Sequence, residues 1–214
     1  MNDDDHDRHH DPEDPHGFDA RALAWDQDPK KVARARRAAD AIVAHDILRP
    51  DTRLLEFGAG SGMLSQLLRE HLGAITVVDR SEGMLEILRD KADGGPLDGA
   101  TVLDVDLVHD PLPDVQVDLI ASVMVMHHVL ETEQLLRHLH DLLAPGGWVA
   151  LSDLDAEDGT FHAGADDVVS GFDRDELKGL LTDLGFVDVS FQDCGVLHKN
   201  DRDYPLFLAF ARRP

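Results

Sequence analysis

The stretch LLEFGAGSG, residues 54–62, sets Gly58, Gly60 and Gly62 at alternate positions behind a short apolar run, with Glu56 two places ahead. Glycine has no Cβ, so it takes backbone angles closed to other residues and lets a ligand lie against the main chain. Where such a turn leads from a strand into a helix, free N–H groups and the positive end of the helix dipole suit a pyrophosphate or a carboxylate. Asp79 closes the next apolar run, about twenty residues on, where a carboxylate can accept bonds from both hydroxyls of a ribose. Asp104 and Asp106 come at the end of a third run. A carboxylate there can accept a bond from an adenine amino group, or can simply be a solvated strand end. A dinucleotide fingerprint would read G-x-G-x-x-G, but Met63 stands where its third glycine belongs.

A second group of reactive types follows residues 119–126: His127 and His128, with Met124 and Met126 beside them. An imidazole can take or give a proton near neutrality. Farther on, DLDAEDGTFHAG, residues 153–164, crowds together Asp153, Asp155, Glu157, Asp158 and His162. Such a set could ligate a metal ion, but its spacing matches neither an EF-hand nor a zinc motif, and no metal site is expected.

These residues need elements to hold them. Apolar residues Val32, Ala35, Ala39, Ile42, Val43 and Ile47 fall at helical spacing and predict a helix over 28–48. Strands are predicted at 53–56, 74–79, 101–105, 117–122 and 148–153, with helices at 63–72, 81–92 and 132–143 between them and a loop over 106–116. That alternation argues for an α/β chain of three layers, parallel strands covered by helices on both faces. Asp173 to Glu176 reads as a cap for a helix over 174–184. Segments 186–191 and 204–211 leave no room for a helix between them and predict an antiparallel hairpin at one edge.

Composition bounds the rest. The 214 residues carry a formal net charge of −23, which disfavours nucleic acid as a partner. One cysteine, Cys194, excludes an internal disulfide and fits a reducing cytoplasm. No apolar run approaches the ~20 residues of a membrane helix. Residues 1–16 hold His6, His9, His10 and His16 among aspartates and almost nothing apolar. They read as a disordered tail rather than a secretory signal, or less readily as a loose metal-binding segment. Residues 17–214 are expected to form one domain, with 17–50 a helical lid or cap, in a cytoplasmic monomer or homodimer.

Taken in order, Glu56-x-Gly58-x-Gly60-x-Gly62, Asp79, Asp106, VDLIAS at 117–122 and LLAPGGW at 142–148 resemble the class I S-adenosylmethionine-dependent methyltransferases, nearest the small-molecule and quinone-type branch. The resemblance spans roughly residues 20–214 and implies a Rossmann-like, doubly wound, seven-stranded, mostly parallel sheet ending in the antiparallel hairpin. It implies S-adenosyl-L-methionine as cofactor. Glu56 would orient the loop and the methionine amino group; Gly58, Ala59, Gly60 and Gly62 would line the cofactor, with Arg80, Met84, Leu107 and Ser122 around it. Asp79 would hold the ribose, and Asp106, or else Asp104, the adenine amino group. The family's Leu-Pro comes four and five residues after that acid, whereas Leu112-Pro113 comes six and seven after Asp106. His128 matches the family's recurrent histidine, as a base or as a pocket wall. His127, Phe161, His162 and Trp25 would face a small-molecule acceptor, unless Trp25 only pins the first helix to the core. Two other readings stand beside this one. One is a non-catalytic S-adenosylmethionine binder; the other is a nicotinamide-dependent oxidoreductase, which the missing glycine and the lack of a Tyr-x-x-x-Lys pair oppose.

Overall fold

The computed structural model describes residues 17–214; the expected tail, residues 1–16, lies outside the described residues. A short helix α1, Phe18–Arg21, runs through a 3-10 turn, Ala22–Gln27, into α2, Pro29–Ala44. Asp28 caps α2 by accepting the Lys30 amide at 2.8 Å, and Pro29 takes the first turn, where its missing N–H leaves nothing unpaired. The helix stops short of the predicted end because the chain turns at Asp46, whose φ is 58°. Ile47 and Leu48 still pack on the core, but from that turn. An apolar residue can keep helical spacing without being in the helix.

Next come β1 (Arg53–Phe57), α3 (Met63–Leu68), β2 (Ala74–Asp79), α4 (Glu82–Ala92), β3 (Thr101–Asp104), β4 (Val117–Val123), α5 (Thr132–Leu142), β5 (Leu143–Leu154), α6 (Arg174–Asp183), β6 (Val187–Lys199) and β7 (Arg202–Arg212). Ser81 caps α4 and Asp173 caps α6, the latter accepting the amides of Asp175 and Glu176. The seven strands form one sheet in the order β3-β2-β1-β4-β5-β7-β6. The first five are parallel, and β7 runs antiparallel to both β5 and β6. The predicted hairpin is present. Its first strand is the edge, and its second is slotted inside against β5.

Alternate strand residues face opposite sides of the sheet. Leu54, Leu119, Ala150 and Leu208 join a core with α2 and α3, whereas Leu55, Ile120, Val149 and Phe207 join one with α5 and α6. Leu136 and Leu139 of α5 are fully buried there, each contributing roughly 1.5–3 kcal/mol. Chain order reverses between β1 and β4, so the carboxyl ends of these two strands splay their loops apart and open a crevice between them. Among the described residues no helix is long and apolar enough to cross a membrane.

Candidate functional site

The loop from β1 to α3 lies at that crevice. Gly58, Gly60 and Gly62 all sit in the left-handed region, at φ 56°, 56° and 73°. A Cβ on Gly58 would stand 2.4 Å from Val125 Cγ1, and one on Gly62 2.7 Å from Leu97 Cδ1. A Cβ on Gly60 would meet only the Trp25 indole, at 3.6 Å, and the Met84 sulfur, at 4.0 Å. Two of the glycines are therefore required by the packing of the protein on itself, and Gly60 is the one that borders the crevice. Ala59 is buried, and its N–H donates to the Val78 carbonyl at 3.0 Å, stitching the loop to β2.

Three acids fasten this region. Glu56 shares its strand face with α3 and accepts the Ser65 N–H at 2.9 Å and the Ser65 hydroxyl at 2.5 Å. Burial pushes its carboxyl up to about 7, the Ser65 bonds resist, and the nearby Asp79 charge adds to the rise. Asp79 accepts the Gly60 amide at 2.6 Å on Oδ2, and the amides of Arg80 and Ser81 at 2.8 and 3.0 Å on Oδ1. Burial raises its pKa against the pull of those bonds. Asp106 accepts the Val108 and His109 amides on Oδ1, at 2.8 and 3.2 Å. Its Oδ2 meets Arg80 Nη1 at 2.6 Å and His109 Nδ1 at 2.9 Å. Burial alone would raise its pKa, but the His109 side chain, those amides and Arg80 together hold it below the usual carboxylate value. Asp104 closes β3 as an exposed residue. Met84 is buried beside Gly60; Leu107 lies in the core under α5, and Ser122 is buried within β4.

The segment 18–28 straps this edge. Asp19 Oδ1 accepts the Ser81 hydroxyl and, at 3.1 Å, the Gly83 amide at the start of α4. Asp26 accepts the Ser61 hydroxyl and, at 2.5 Å, the Lys91 ammonium, which also donates to the Ser61 carbonyl at 2.7 Å. Lys31 stacks 3.3 Å over the Trp25 ring. The Phe18 ring makes edge contacts with Trp25, centroids 5.9 Å apart, and with His128, at 5.5 Å. One strap thus touches the glycine loop, α4 and the histidines.

Those histidines come from a 3-10 turn, Met126–His128, at the carboxyl end of β4 and from the loop after β5. His127 is buried; its Nδ1 lies 2.7 Å from Asp153 Oδ1 and its amide donates to Asp153 Oδ2 at 3.2 Å. Asp153, wholly buried, also accepts the Leu154 amide at 2.8 Å. His128 lies 4.1 Å from His127 and 5.2 Å from His162, ring to ring, and Phe161 packs edge-on against His127 and His162. The loop's acids are occupied elsewhere: Asp155 pairs with Arg174 at 2.6 and 2.8 Å, Asp158 with Arg202 at 3.0 Å, and Glu157 accepts the Phe161 amide at 3.1 Å. Two residues gain a place the sequence did not give them. One is Asp153 as the partner of His127, for which an aspartate inside an apolar strand was the signal. The other is Arg34 on α2, whose pKa burial lowers against the pull of Asp28 and Asp153.

The residues present fit an adenosyl cofactor. Gly60 borders the crevice with a side chain rather than main chain opposite it. Asp79 Oδ2 accepts one bond, and a carboxylate oxygen has a second lone pair for a sugar hydroxyl. Residues 9–190 match a family described as a methyltransferase domain. A probable S-adenosylmethionine-dependent methyltransferase of Mycobacterium tuberculosis is 28% identical over 168 residues, 76% of this chain and 56% of that protein. The 27-O-demethylrifamycin SV methyltransferase of Amycolatopsis mediterranei is 25% identical over 181 residues, 79% of this chain and 66% of that one. Phosphoethanolamine N-methyltransferase 2 of Haemonchus contortus, solved in complex with S-adenosyl-L-methionine, matches with a TM-score of 0.74 at 13% identity, over 94% of this chain and 59% of that one, a likeness of fold. The chain spans about half the length of curated relatives it matches, 52% and 56% of two of them. With a methyltransferase-domain family matching residues 9–190, most of the chain, the chain belongs to the class I S-adenosylmethionine-dependent methyltransferases.

Proposed function

We propose that this chain transfers a methyl group from S-adenosylmethionine to a small-molecule acceptor held against His127, His128 and His162. One observation carries the reading: a single strap roofs both the Gly60–Asp79 crevice and the histidine cluster, through Trp25 on one and Phe18 on the other. The bound cofactor supplies an electrophilic methyl on a sulfonium whose sulfur leaves neutral, so no acid is required. Asp79 would accept from the ribose hydroxyls, Glu56 anchors α3 to β1 beneath the loop, and Asp106, fixed by Arg80 and His109, would serve the adenine side. Trp25 and Phe18 exclude water and hold the partners in line, and positioning of this kind lowers a barrier by several kcal/mol, up to roughly 7–11 in good cases. An acceptor that must lose a proton gives it to the histidine cluster, where Asp153 at His127 Nδ1 steadies the charge; His128, packed under Phe18, walls the pocket. The net charge of −23 favours small acceptors over anionic polymers, and the buried Cys194 suits a reducing cytoplasm.

Calorimetry with S-adenosylmethionine and S-adenosylhomocysteine tests the cofactor half. Saturable binding of both is expected, and no heat from either at ~1 mM overturns it. Mass spectrometry of acceptor pools, read for methylated product and S-adenosylhomocysteine together, tests turnover separately from binding.

A further inference from the structure

We propose that His127, His128 and His162 form a three-imidazole site for one divalent transition cation of the zinc class. Each ring offers a nitrogen, and the three nitrogens lie within 4.8 Å of one another. The sequence hides this convergence, because two of the donors follow β4 and the third follows β5. Strand pairing supplies it: β4 and β5 are parallel neighbours, with Val123 opposite Ser152, so the loops leaving them emerge side by side.

The support behind the cluster is that of a ligand set. His127 Nδ1 is bound by the buried Asp153 at 2.7 Å, which directs Nε2 outward and fixes the ring. A carboxylate behind a histidine is the usual way to set a metal ligand's tautomer and raise its basicity. Asp153 is itself held by the amides of His127 and Leu154, at 3.2 and 2.8 Å. The nearby carboxylates that would favour magnesium or calcium are turned away, Asp155 to Arg174 and Asp158 to Arg202. An all-imidazole set selects zinc, copper, nickel or iron instead. Bonds of about 2.0–2.1 Å in a tetrahedron would place the nitrogens about 3.3 Å apart, so the rings must close by up to about 1.5 Å. His162 can supply most of that closure, since it rides on a loop whereas His127 and His128 are fixed by the turn at the end of β4.

Three protein ligands leave a fourth position open. That position faces the space assigned above to the acceptor, and here the inference rests on the methyl-transfer reading. An ionisable hydroxyl or thiol filling it would have its pKa lowered and would release its proton to solvent, so the cation and a protonated imidazole are alternatives. The acceptor class is then an alcohol, phenol or thiol.

The test uses the full chain with His6, His9, His10 and His16 changed to glutamine, which removes the other clustered histidines from the titration. Cobalt(II) is titrated and followed by visible absorption, and zinc by calorimetry. One equivalent per chain with a four-coordinate cobalt spectrum is expected. His162→Gln and, separately, His128→Gln should weaken it at least about 100-fold with metal-free melting unchanged, and Asp153→Asn about 10–100-fold through His127. No stoichiometric binding, or binding that survives both histidine changes, overturns the site. S-adenosylhomocysteine affinity, measured in the same samples, keeps that failure distinct from failure of the methyltransferase reading.

Discussion

Glu56 is a carboxyl placed where its charge is unwelcome, and this has a pH signature. Its ordinary pKa of 4.5 rises to about 7 in the fold because burial disfavours the ionised form. Below pH 4.5 it is protonated in both folded and unfolded chains, and its full contribution is present. As pH climbs from there towards 7, the unfolded chain gives up the proton first and stability falls, by roughly 3 kcal/mol in all at ~1.4 kcal/mol per pH unit. Glu56→Gln should flatten this window. Chemical unfolding of both proteins across it provides the measurement, and a constant difference between them would show that the carboxyl ionises normally. Burial raises the Asp79 carboxyl as well, but three main-chain amides donate to it and pull against that rise. Asp79→Ala removes charge-assisted bonds worth roughly 1.5–3 kcal/mol each, and S-adenosylhomocysteine affinity should fall at least about tenfold by calorimetry. Unchanged affinity would take Asp79 out of the site.

The loop from β1 to α3 separates two uses of glycine that look identical in sequence. Gly58→Ala drives a methyl into Val125 and Gly62→Ala drives one into Leu97 and Leu88, both at positive φ. Each should cost about 2 kcal/mol or more of stability, overpacking added to backbone strain. Gly60→Ala has room beside Trp25, so it should cost only the backbone term, about 1–2 kcal/mol, and act more on cofactor affinity than on folding. Unfolding curves for the three variants, beside their cofactor affinities, check the contrast; equal stability losses would refute it. The same loop shows what could be read in advance. Alternate glycines after an apolar run, and an acid closing the next one, located the crevice because both signals are local. The reasons for Gly58 and Gly62 were hidden, since Val125, Leu88 and Leu97 reach them only through the fold. Asp106 was legible as an acid after β3, whereas its bonds to Arg80 and His109 depend on loop geometry. The acids of residues 153–158 suggested one cluster, yet long-range arginines disperse Asp155 and Asp158, and it is His162 that meets His127 and His128.

Across the whole molecule, 43 acidic side chains face 20 basic ones. Some are paired well, as in the two-pronged Arg53–Asp118 contact at 2.8 and 2.9 Å, but most of the excess must repel itself. Salt screens such repulsion within a Debye length of about 3 Å at 1 M. The melting temperature should therefore rise by several degrees between about 0.05 and 1 M sodium chloride. A flat or falling melting temperature in calorimetry would mean that local pairs already balance the surface. Charge is a collective property, but strand order is a sequential one. Because β7 is made after β6 yet lies between it and β5, a ribosome synthesising this chain holds the sheet ajar until both strands of the hairpin have been made. The flank of β5 stays unzipped, and β6 waits without a neighbour, until Arg202–Arg212 clears the exit tunnel and closes the seam.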